Sequence, residues 1–198
     1  AFEKANPQEE NDMASTVHLC NLALAKLGAK AIESLTENSK EARLCALFLE
    51  SVRDDLLRAH PWNFAAARAT LARLSEAPAF GFAAAYQLPA DCLKVICVNG
   101  DPRAAFRIEG RRLLTDLDQV RAAYTARVED PNLFDPSFVQ ALAARLAAEL
   151  CVPIAKSASL AERLWRLAEL LAERAALEDS REGGGPADGR NPYVEARS

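Results

Sequence analysis

The hydrophobic period changes twice along this 198-residue chain, from helical to strand-like and back to helical. That switch constrains the fold more than any other feature, because the two periods bury different faces. Val17, Cys20, Leu24 and Leu27 recur at three- and four-residue spacing and predict a first helix from about Thr16 to Leu27. Ser15 is a candidate cap for its start, and Gly28 stands where a left-handed C-terminal cap is wanted. Asn38-x-x-Glu41 has the capping-box pattern, and Cys45, Phe48, Val52, Leu56 and Ala59 carry a second stripe down to His60-Pro61. Proline disfavours helical geometry in the residue before it, so the second helix is expected to end there.

The middle of the chain reads differently. Trp62 and Phe64 alternate with Asn63, as in an extended segment, while Ala65 to Leu74 is ambiguous between helix and strand. Leu93 to Val98 is an apolar run between turn signals, Pro89-Ala90-Asp91 and Asn99-Gly100-Asp101-Pro102. Phe106-Arg107-Ile108 and Leu113-Leu114-Thr115 flank Glu109-Gly110-Arg111-Arg112 as a hairpin would. Val120, Ala122, Tyr124, Ala126 and Val128 alternate strictly, the mark of a half-buried strand. A small antiparallel sheet of three or four strands is therefore expected between the second and third helices.

Asp135-Pro136 reopens the helical pattern, with Asp as cap and Pro at the first helical position. Phe138, Leu142, Leu146 and Leu150 line one face, and Pro153 is expected to kink or end this third helix. Ser159-x-x-Glu162 then precedes Leu160, Leu164, Leu167 and Leu171, a fourth helix stopping near Ser180. The expected fold is α+β but mainly α. It is a four-helix-type bundle with a small antiparallel sheet inserted between helices 2 and 3, and a flexible C-terminal arm. Residues 1–12 read as an expression-derived leader before Met13, and residues 13–180 as one domain. That domain is helical over 15–60 and 136–180 with a β insertion at about 62–128; residues 181–198 are the arm, with Gly183, Gly184 and Gly185 as its hinge.

Composition narrows the function classes. Forty alanines and 27 leucines favour helices, and 24 basic against 28 acidic side chains leave a net charge of −4. An acidic chain argues against a nucleic-acid clamp, and no uninterrupted apolar run reaches the length of a membrane span. Five cysteines at 20, 45, 92, 97 and 151 form no CxxC pair, and Cys92 and Cys97 are expected on opposite faces of a strand. They read as buried free thiols, so neither a metal nor another cofactor is expected. Of the two histidines, His18 is expected at a surface and His60 at a helix C-terminus. Arg111-Arg112 reads as a solvated turn, Trp62 and Phe64 as core anchors. Phosphate-cradling and nucleophile-elbow motifs are absent from the sequence, so no catalytic residue is assigned.

The ordered series Cys20-Asn21-Leu22-Ala23-Leu24 to Leu27-Gly28, Ser34-Leu35, Asn38-Ser39, Arg53, Leu56-Leu57, Pro61-Trp62-Asn63-Phe64-Ala65, Leu88-Pro89-Ala90-Asp91-Cys92-Leu93, Ile108-Glu109-Gly110 and Tyr124 carries a family resemblance. From Met13 to Ser198 the chain resembles the head–tail adaptors of short-tailed bacteriophages and prophages, called tail tubular protein A or gatekeeper proteins. The resemblance implies structural work at the virion head–tail junction by a protein made in the bacterial host cytoplasm. Such adaptors join as a ring, typically of twelve copies, on the portal protein after DNA packaging. The ring extends the DNA channel, without sequence-specific binding, and offers the tail nozzle protein its assembly surface. By the same resemblance Tyr193, Val194 and Arg197 are candidate portal contacts. Two rival readings are a virion-associated cell-wall (peptidoglycan) hydrolase built on Glu and Asp, and a helical DNA-binding regulator. An unselectable pair of carboxylates weakens the first, and the acidic balance weakens the second.

Overall fold

The computed structural model describes residues 7–182. Four helices, α1 (Pro7–Lys26), α2 (Lys40–Ala59), α3 (Pro136–Ala155) and α4 (Ala158–Glu182), enclose one core. Six strands follow α2 and precede α3: β1 (Ala66–Thr70), β2 (Ala84–Gln87), β3 (Cys92–Val98), β4 (Arg107–Glu109), β5 (Arg112–Thr115) and β6 (Arg121–Ala126). They make two three-stranded antiparallel sheets, ordered β1-β6-β3 and β2-β5-β4. Leu71, Tyr86, Val98, Leu113, Val120 and Tyr124 belong to a second core built by these sheets.

This corrects the expected four-helix-type bundle with one small inserted sheet. Instead of closing a bundle, α1, α2 and α4 each pack chiefly on α3. The cause lies in α3, whose buried residues include Phe138, Ala141, Leu142, Ala144, Leu146, Ala147, Leu150 and Cys151, more than one stripe can hold. A helix apolar on most sides takes neighbours on most sides, whereas α2 and α4 have one apolar stripe each. By length and composition alone α3 could cross a membrane; here its faces are covered by the other helices. The strands, for their part, bury a core of their own.

The sheets are joined along one side by the chain beyond β1. Leu71 N donates to Val120 O at 2.8 Å, still beside β6, while Leu74 N donates to Ala85 O at 2.8 Å and Gln87 N to Ala72 O at 2.9 Å. The segment thus leaves the first sheet and pairs with β2 of the second. At the other end of each strand order, β3 and β4 are sheet edges among the described residues. Two turns set the register. Asn99 and Gly100 both have positive φ between Val98 and Asp101, as a type I′ turn requires. Gly110 has φ +58° as the first central residue between Glu109 and Arg112, the position that wants glycine in a type II′ turn.

Helix boundaries moved where sequence signals compete. α1 begins at Pro7, so Ser15 lies within it and the helix overlaps the expected leader. A proline at the first helical position followed by acidic residues is itself a start signal. Ser39, not Asn38, caps α2: its Oγ accepts from Ala42 N at 3.1 Å, while Asn38 Oδ1 accepts from Arg43 Nη1. Asp135 caps α3 through Ser137 N at 2.8 Å, with Pro136 at the first position as expected. Pro153 lies in the last turn of α3, which runs on to Ala155 before Lys156 adopts the left-handed conformation. Ser157 Oγ accepts from Leu160 N ahead of Ser159, and α4 runs to Glu182.

Candidate interaction surface

His60 ends α2 in an extended conformation, and its Nε2 lies 2.9 Å from Asp179 Oδ2 near the end of α4. Asp179 Oδ1 accepts from Asn63 N at 2.9 Å, and Asn63 Nδ2 donates to Asp179 O at 2.6 Å. The carboxylate is thereby used up in tying α4 to the turn that leads into β1. Next to it, Trp62 is buried with its Nε1 donating to Leu56 O at 2.9 Å. Its ring meets His60 and Phe138 edge-on, and Phe64 packs against Phe134 and Phe138. Trp62 and Phe64 pack into the core, but Asn63–Ala65 form a 3₁₀ turn instead of the extended segment that their alternation suggested.

A hydrolytic triad needs a hydroxyl on the other histidine nitrogen. The nearby Ser180 Oγ donates instead to Ala176 O at 2.7 Å, within its own helix. Asp54 is likewise engaged, at 2.8 Å from Arg127 and 2.9 Å from Arg53, where it links α2 to the end of β6. Asp55 pairs with Arg145 at 3.1 Å, and that guanidinium sits 4.2 Å above the Trp165 ring, joining α2, α3 and α4. Among the described residues no group of three His, Cys, Asp or Glu could hold a metal ion. These polar groups position helices.

The cysteines are free. Cys20, Cys45, Cys92 and Cys151 are buried and Cys97 half-buried. A hydrogen bond with Cys45 and burial push the Cys20 thiol above the ordinary range, and burial does the same for Cys92 and Cys151. Cys92 faces the second core, while Cys97 lines a hollow on the outer face of the first sheet, so the pair does diverge. His18 is exposed on α1. Arg111, expected in a solvated turn, is fastened: its guanidinium donates to Cys92 O at 2.9 Å and to Pro89 O. The candidate contacts Tyr193, Val194 and Arg197 and the hinge Gly183, Gly184 and Gly185 lie outside the described residues.

What remains is an exposed surface, on which Arg174 is paired with Glu178 at 3.0 Å. Along the outer side of α4, Arg163, Arg166, Leu170, Arg174, Leu177 and Arg181 are all exposed and succeed one another at three- and four-residue steps. Leu170 is 62 % and Leu177 61 % exposed, with Leu167 beside them at 39 %. Single exposed leucines are ordinary; three on one helix, framed by arginines on an acidic chain, form a patch. The signal was present in the sequence as a second spacing register on α4, behind the stronger core stripe. No model of a known protein family matches the chain, and no curated protein matches it in sequence.

Proposed function

We propose that this protein is a structural head–tail adaptor of a short-tailed phage or prophage. Copies of it dock as a ring on the portal protein after packaging, extend the DNA channel and offer the tail nozzle protein its assembly surface. The observation that carries this reading is the exposed row on α4, where Leu167, Leu170 and Leu177 lie outside a core that is already filled. A 25-residue helix with such a row suits side-by-side packing of subunits. The chain's net charge of −4 suits a conduit, because an acidic wall does not hold phosphates electrostatically. By the family resemblance, the residues beyond Glu182, Tyr193 and Val194 among them, are the segment that reaches the portal.

The test is electron microscopy of the full chain mixed with purified portal rings of its phage. A second ring stacked on the portal is the expected result, lost when residues 183–198 are deleted while helicity is kept. Failure to bind any portal, together with release of peptidoglycan fragments, would replace the adaptor with the hydrolase.

A further inference from the structure

The two open edges of the sheets line one groove. Among the described residues β3 pairs only with β6, and β4 only with β5. Between these edges runs a hollow of about 370 Å³ whose walls include Leu93, Lys94 and Val95 on one side and Ile108 and Arg111 on the other. Ile108 stands opposite the fully buried Leu113 in the ladder, so it belongs to the core-facing side of its sheet. It is nevertheless 40 % exposed, and Val95, also packed on the second core, is only half-buried. Both side chains are left partly bare because, among the described residues, no strand lies between them.

An unpaired edge is a template for another strand, and proteins usually blunt such edges with charge, bulges or a covering loop. β3 carries two register shifts and β4 is only three residues long, which discourages indiscriminate pairing. The groove is therefore selective in what it can take. Its charge is selective too: Arg58, Lys94 and Arg111 line it, each donating a hydrogen bond to a backbone carbonyl at its wall, and Arg107 stands exposed on β4, with Asp91 and Glu109 as the nearby acids.

We propose that this groove is a docking site for an extended acidic segment of another protein, added as a strand between β3 and β4. Its backbone hydrogen-bonds to β4 and to the part of β3 beyond Cys92 and Leu93, whose carbonyls Arg111 and Arg58 already occupy. Alternate apolar side chains complete the core between Val95 and Ile108, and the Asp or Glu residues between them meet Lys94 and Arg107. In strand addition of this kind main-chain bonds supply affinity, and alternate side chains supply specificity. The groove is a property of the sheets and does not depend on the chain's joining a ring.

The probe is a fluorescein-labelled peptide of about ten residues, a typical upper strand length, alternating valine or threonine with glutamate. It is titrated into the full chain and followed by anisotropy, alongside a counterpart with lysine for glutamate. Saturable binding of the acidic peptide, at least about tenfold tighter than the lysine peptide, is expected. Amide exchange should slow at 92–98 and 107–109. Arg107→Glu alters one exposed side chain and should weaken binding about tenfold, with Lys94→Glu adding to the loss. Equal binding of both peptides, or protection confined to other strands, would overturn the proposal. So would protection of the same amides without peptide that vanishes on deleting residues 183–198, which would give the groove to the chain's own tail. Protection that instead grows with protein concentration would give it to a second copy.

Discussion

His60 and Asp179 stand 119 residues apart in the chain, yet Nε2 of one lies 2.9 Å from Oδ2 of the other. The pair closes the fold at the point where helices give way to sheets, because Asn63, which begins the turn into β1, bonds the same aspartate twice. Asp179 is 8 % exposed and is the residue on which α2, α4 and the entry to the sheets converge. Asp179→Ala leaves the Asn63 amide without its acceptor and the His60 ring without its partner. A loss of about 2–3 kcal/mol in unfolding free energy is expected from urea denaturation. Asp179→Asn keeps one oxygen for the Asn63 amide and should cost less. Equal losses for both would mean that the His60 contact carries the whole effect.

Thr115 and Thr125 are both fully buried, but their hydroxyls are treated differently. Thr115 Oγ1 donates to Ala105 O at 2.8 Å, whereas Thr125 Oγ1 has no hydrogen-bond partner among the described residues. A buried hydroxyl without a partner costs about 1–3 kcal/mol by comparison with a methyl group. Thr125→Val is therefore expected to raise stability by about 1 kcal/mol, and Thr115→Val to lower it by a similar amount. Denaturant midpoints of the two variants, measured side by side, check the sign of each. A stability loss in both would show that Thr125 is served by a buried water.

Much of this arrangement could be read from local chemistry, and the remainder could not for reasons that differ by element. Asp135-Pro136 marks the start of α3 because cap and first-turn geometry are satisfied by residues next to each other. Asn99-Gly100 and Gly110 mark their turns because positive φ is a local demand. β2 has no such mark. Ala84 and Ala85 are weak strand formers, and three consecutive buried residues show no alternation, so β2 was not legible and the expected β4–β5 hairpin lacked the third strand that makes it a second sheet. Arg111 looked like a solvated turn because the carbonyls it binds, at Cys92 and Pro89, arrive from another strand. The partnership of His60 with Asp179 is equally long-range. The α4 row was visible in its spacing, but only the packing of Leu164, Ala168 and Ala175 inward reveals which stripe is left bare.

Tyr124 sets a pH limit on the sheets. Its hydroxyl is pushed above the ordinary tyrosine range by burial first, and then by the Asp91 carboxylate, whose oxygens lie 3.3 and 3.4 Å away. The folded state thus keeps this proton at a pH where the unfolded chain has released it. Stability from this source is complete below the unfolded value of about 10 and falls as pH rises towards the folded value. Tyrosinate absorbance should display a late-ionising group that Tyr124→Phe removes and that Asp91→Asn moves to lower pH. The Phe variant should also lose stability less steeply above pH ~10. An unchanged titration in Asp91→Asn would leave burial as the sole cause.

On the proposed adaptor function, the outer row of α4 separates folding from assembly. Leu170 and Leu177 contribute little to the core, since each keeps more than half of its surface in water, and Leu164, Ala168 and Ala175 hold the helix to α3. Leu170→Glu and Leu177→Glu should therefore change unfolding free energy by no more than about 0.5 kcal/mol, the usual range for surface sites. Their effect on subunit contact should be large, because a carboxylate buried without a partner in an apolar interface must be desolvated. Ring formation on the portal, counted by electron microscopy, is expected to fall at least tenfold at equal protein concentration, equivalent to about 1.4 kcal/mol or more per contact. Arg166→Ala and Arg174→Ala, which frame the leucines at its rim, should weaken assembly less and make it less sensitive to salt. Rings that form undiminished with both glutamates in place would move the subunit contact off α4. The leucine row would then be left as surface that some other partner covers.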